Sequence, residues 1–123
     1  MNPGAAAAAY KSASLDSAPP LKLVQLLYEG ALRFLAQAEA AQGSDPARFQ
    51  ERCLRAQAVV SELRLALDRS QAPELADQLQ ALYLFAEGEI RNAMMQETSA
   101  PLGPVREVLG TLLGGWNQLE VRV

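Results

Sequence analysis

With 123 residues, half of them hydrophobic and a fifth charged, the chain can build one hydrophobic core and is too apolar to stay unfolded. Its formal charge of −3, with acidic and basic residues interspersed, argues against nucleic acid or an anionic membrane as the main partner, because phosphate binding needs clustered Lys and Arg. The absence of histidine removes the usual general base and the Glu-x-x-His ligands of di-iron bundles, and the lone Cys53 leaves no intramolecular disulfide and no thiolate zinc site. No P-loop, glycine-rich nucleotide fingerprint or nucleophile–base pair is visible, so catalysis, cofactors and metals are not expected.

In chain order, residues 1–17 come first, rich in Ala and Ser with Tyr10 as their only large side chain. They are compatible with a disordered head, a short helix or an arm laid across the domain formed by residues 18–123. The start "MNPGAAAAAYKS" lacks the basic and apolar regions of a signal peptide, and no apolar run reaches membrane-spanning length. A cytosolic protein without direct membrane insertion is expected.

Four helix-period segments follow, near 19–41, 46–69, 73–97 and 102–120, separated by short breaks containing Pro, Ser or Gly. In "SDPARF", Asp45 is placed to cap free N–H groups while Pro46 takes the first helical position, where no N–H is needed. The first segment groups Lys22, Gln25, Glu29, Arg33 and Gln37 on one side, with an apolar arc from Leu23 to Ala38 over roughly half the circumference. Tyr28 and Gly30 lie at the edges of that arc. The second carries a seam of Phe49, Cys53, Ala56, Val60, Leu63 and Leu67; the third, of Leu75, Leu79, Leu82, Ala86, Ile90 and Ala93; the fourth, of Val105, Val108, Leu109, Leu112, Trp116 and Leu119. Short loops between amphipathic helices predict an all-α, antiparallel up-down four-helix bundle.

Two helices are also apolar where they should be wet. On the second, Leu54, Ala58 and Leu65 share a line opposite the seam; on the third, Ala81, Leu84, Gly88 and Met95 do, with Phe85 at their edge. Either these helices have more than one neighbour, or the stripes form a groove for an apolar partner helix; two stripes on consecutive helices favour the groove. Gly110 and Gly114 on the fourth helix mark either a fraying end or room for a partner.

The segments "AY" at 9–10, "APPLKLVQLLYEGALRFLAQA", "RAQAVVSELRLALD", "LADQLQALY" and "VLGTLLGGW" occur in an order and spacing that resembles the FliS family of flagellin-specific export chaperones, from about Ala9 to Trp116. The resemblance implies a helical bundle in the bacterial cytosol that binds the disordered C-terminal segment of flagellin. It further implies that binding prevents premature polymerisation and presents the client to a component of the flagellar type III export gate. By motif match it assigns Tyr10, with Tyr28 and Gly30 of the family signature, to the arm and to client exchange or gate docking. The two outer stripes, not the motif match, put client contact at Leu54, Ala58, Leu65, Ala81, Leu84, Gly88 and Met95. The alternative is a non-catalytic bundle that uses the same stripes to self-associate as a weak homodimer.

Overall fold

The computed structural model describes residues 20–70 and 72–122, with side chains described for 21–70 and 72–119. Its elements are α1 (Pro20–Ala41), α2 (Pro46–Leu65), α3 (Pro73–Gln96) and α4 (Leu102–Arg122), with no strand among the described residues. The expected arm, residues 1–17 with Tyr10, lies outside the described residues.

Each helix buries residues that alternate four and three apart, the spacing of a bundle seam. These are Val24, Tyr28, Ala31, Leu35 and Ala38 on α1; Phe49, Cys53, Ala56, Val60 and Leu63 on α2; Leu79, Tyr83, Ala86, Ile90 and Ala93 on α3; and Leu102, Val105 and Leu109 on α4. The helices form a ring in which α1 packs on α2 and α4, and α3 packs on α2 and more sparsely on α4. Gln50–Met94 with Gln57–Glu87, and Glu39–Arg106 with Gln25–Asn117, pair rising with falling residue numbers, and a short turn joins α1 to α2, so neighbours are antiparallel and the bundle is up-down. Across one diagonal, the Tyr28 and Tyr83 hydroxyls meet at 2.5 Å.

The turns follow from local chemistry. Gly43 takes a left-handed φ of 83° after α1, and Asp45 then accepts a hydrogen bond from the Arg48 N–H at 3.1 Å, with Pro46 opening α2. α2 ends at Leu65, four residues before the sequence expectation. Asp68 accepts from both the backbone N–H and the hydroxyl of Ser70, at 2.9 and 2.6 Å, a local turn that competes with helix. α3 ends on Glu97 at φ 54°, where the Thr98 N–H reaches back to the Ala93 carbonyl at 3.1 Å.

Three expectations about faces are corrected. Gln25, grouped with the wet side of the first helix, is buried and donates to Asn117 Oδ1 of α4 at 2.8 Å. Leu75 and Leu119, assigned to seams, are about half exposed because each sits near the end of its helix, where cover from the neighbours runs out. Tyr83, absent from the expected seam, is buried in place of Leu82, which is only partly covered.

Candidate functional site

The two apolar stripes converge. On α2, the residues that bond to α3 (Gln50, Gln57, Ser61, Arg64) sit about a quarter-turn from the buried line, at 100° per residue. Leu54, Ala58 and Leu65 lie further round in the same direction. On α3, Glu87 bonds to α2 and Gln80 accepts from Arg69 in the α2–α3 connection, and Ala81, Leu84, Gly88 and Met95 again lie just beyond them. Both stripes therefore flank one seam, on the outer face of the α2–α3 hairpin.

A polar strip forms the floor between them. Glu87, 8% exposed, accepts from Ser61 Oγ at 3.0 Å and from Arg64 Nε and Nη2 at 2.6 and 3.2 Å, while Gln57 Nε2 donates to the Glu87 carbonyl at 3.1 Å. The hydrogen bond from Arg64 to Glu87 raises the arginine's pKa, so the guanidinium stays charged across the physiological range. With its partners in place, this strip ties α2 to α3 and fixes their register.

That register sets the relief of the face. Gln57 level with Glu87, and Gln50 level with Met94, put Ala58 across from Gly88 and Leu65 near Ala81. Leu54 (56% exposed) and Met95 (74%) rise at one end, and Leu65 (50%) and Leu84 (47%) at the other. Ala58 and Gly88 make the low middle, and a Cβ built on Gly88 would meet nothing within 4 Å. A helix laid across this face would find two apolar ridges and a hollow for one side chain. Phe85, also exposed, lies further round α3 from the α2 side than Leu84 and Met95.

The other expected residues fall elsewhere. Tyr28 is not at a helix edge: it is fully buried, hydrogen-bonded to Tyr83, with the Trp116 ring edge-on at 6.4 Å between centroids. Burial pushes its phenol above the usual tyrosine pKa, against the opposing pull of the Tyr83 hydrogen bond. The sequence placed it at a boundary because single-helix periodicity cannot say that Tyr83 will arrive from across the bundle. Gly30 is buried too, but no neighbouring helix crowds it; among the described residues, only Arg33 Nη2 comes within 4 Å of where a Cβ would sit. Gly110 and Gly114 are exposed with open space around them. Cys53 is a free, fully buried thiol whose pKa burial raises to about 11. No group of potential metal ligands occurs among the described residues, and no described helix is long and apolar enough to cross a membrane.

The family model "Flagellar protein FliS" matches residues 2–123. The chain is 33% identical to the flagellar secretion chaperone FliS of Vibrio cholerae over 117 residues, covering 90% of this chain and 85% of that one. It is 28% identical over 111 residues to the protein of the same description in Bacillus subtilis, covering 89% and 82%. It is also 31% identical over 111 residues to the flagellar secretion chaperone FliSB of Pseudomonas aeruginosa, covering 88% and 86%.

Proposed function

The chain belongs to the FliS family of flagellar secretion chaperones, and from that premise we propose that it holds the disordered C-terminal segment of flagellin on the outer face of α2 and α3. The observation that carries this reading is the convergence of Leu54, Leu65, Leu84 and Met95, all about half exposed or more, on one side of one hairpin. A subunit destined for export exposes apolar surface that awaits its neighbours in the filament. A chaperone that lends a substitute surface prevents premature polymerisation. It acts by binding alone, in the bacterial cytosol, and hands the client to a component of the flagellar export gate.

Covering the open half of each of the four large side chains is worth about 1 kcal/mol, roughly 4 kcal/mol in all. Ordering a disordered client offsets about 2–5 kcal/mol of the gross contact energy, so further contacts along the segment are needed for micromolar affinity. A hold of that size is releasable, as export demands.

The experiment is a calorimetric titration of a flagellin C-terminal segment into the protein, with helicity followed by circular dichroism. Leu54→Asp and Leu84→Asp should each weaken binding at least about tenfold and leave the melting temperature of the free protein nearly unchanged, because both side chains are already solvated. Unfolding of either free variant would mean that the stripe is core; unchanged binding would move the client elsewhere. Light scattering that shows a stable dimer abolished by the same substitutions would favour self-association instead.

A further inference from the structure

We infer that the outer edge of the α1–α2 hairpin is a second docking surface, for a short acidic segment of a partner protein. Charges that alternate along the sequence are sorted by the fold. Residues 73–122 carry three arginines against seven carboxylates, whereas Arg33, Arg48, Arg52 and Arg55 gather on α1 and α2. Arg48, Arg52 and Arg55 follow one another at i, i+4 and i+7 and so share one side of α2. That side faces α1, since Arg52 Nη1 donates to Gln37 Oε1 at 3.1 Å and its guanidinium lies 5.7 Å from the centre of the Phe34 ring. The same antiparallel register sets Arg33, one turn before Gln37, level with Arg55.

Arg52 helps to join α1 to α2, but Arg33 and Arg48 do nothing evident for the fold. Arg48 lies in the first turn of α2, where the helix dipole disfavours a cation, and α2 has no acidic residue there. Glu51 alone compensates on the outer side, pairing with Arg52 at 2.8 Å and Arg55 at 2.6 Å. The Asp45 carboxylate is turned to the Arg48 N–H as the helix cap, and the line ends at Glu62 two turns on, with Glu29 flanking Arg33. Arg33 and Arg48 are exposed and form no ion pair among the described residues. Arg55 is 61% exposed, while Arg52 is anchored as the fixed centre of the group. A hollow of about 300 Å³ between the α1 end and the α2 start, lined by Gln37, Ser44, Asp45 and Arg48 among others, closes the patch at the turn.

Four guanidiniums in so small an area match two or three carboxylates on successive turns of a helix, which they grip in bidentate fashion. A long polyanion fits less well, because beyond the patch it meets a chain whose remaining charge is strongly acidic. The surface uses a different sector of α2 from Leu54 and Leu65, so it is free while they are covered, and it does not depend on the client reading.

The test uses the full chain and a blocked, helix-forming, Glu-rich dodecapeptide, with a Gln-for-Glu version as control, followed by amide chemical-shift perturbation. At about 25 mM salt the acidic peptide should bind and shift residues 33–55, and raising salt to about 250 mM should weaken it by about tenfold or more. Arg33→Glu with Arg55→Glu should cost a further tenfold or so, while Leu54→Asp should change nothing. Arg33→Gln with Arg55→Gln replaces the reversal should it disturb folding. Absence of binding at about 1 mM, equal binding of the Gln peptide, or equal binding by the arginine variants overturns the inference. Tighter binding to phosphatidylglycerol vesicles or to an oligonucleotide than to the peptide overturns it as well.

Discussion

Replacing Gly88 by alanine should strengthen the free protein and weaken its hold on a client in the same molecule. Gly88 lies in the interior of α3, where glycine costs about 0.5–1 kcal/mol relative to alanine through lost backbone entropy. In most buried helices such a glycine relieves a close contact, but here the added methyl would meet no atom within 4 Å. The free chain should therefore gain most of that increment, a rise of about 2–5 °C in melting temperature for a domain of this size. A client side chain seated between Gly88 and Ala58 would instead meet the new methyl, and overpacking of that kind costs about 1–3 kcal/mol, or roughly fivefold to a hundredfold in affinity. Differential scanning calorimetry of the free variant and titration with the flagellin segment measure the two effects separately. A lower melting temperature would give Gly88 an internal role that the geometry does not contain. Unchanged affinity would mean that no client rests on the hollow.

Glu87→Ala should cost about 2–4 kcal/mol in urea unfolding followed by Trp116 fluorescence, because it strands Arg64, whose side chain is 28% exposed, and unties Gln57 and Ser61 from a defined register. Glu97→Gly should raise the melting temperature by a few degrees, as glycine takes the left-handed φ of 54° without strain worth about 1 kcal/mol. Cys53 should resist a thiol reagent at pH 8 in the native state. Its folded pKa of about 11 stands above the unfolded 9.0, so its contribution is intact below pH 9 and is lost as pH rises toward 11, by about 2–3 kcal/mol at most. Cys53→Ala should flatten that stretch of the stability–pH curve, measured against the parent protein so that other alkaline titrations cancel.

Much of this protein could be read before folding it. The four-and-three spacing of apolar residues named four helices and most of their buried lines, since burial of one face per helix is a property of each segment alone. Pro46, Pro73 and Asp45 marked starts within a residue, because capping chemistry is local. The stripes through Leu54 and Leu84 were visible for the same reason: they violate the pattern of a single helix. Less was readable where two local signals compete or where an outcome depends on a second element. The Asp68–Ser70 turn cut α2 short against a pattern that would have continued the helix.

Tertiary structure alone decided the rest. Tyr28 became core because Tyr83 meets it across the bundle, and Gln25 was drawn inside because Asn117 Oδ1 is there to accept its hydrogen bond. Glu87, an ordinary acidic residue on paper, became the knot of the α2–α3 seam because Ser61 and Arg64 face it. Pairing α2 with α3 turned two separate stripes into one surface, and pairing α2 with α1 gathered scattered arginines into a patch. Periodicity fixes what each helix turns inward, but only the identity of its neighbours determines which outward groups come to lie side by side.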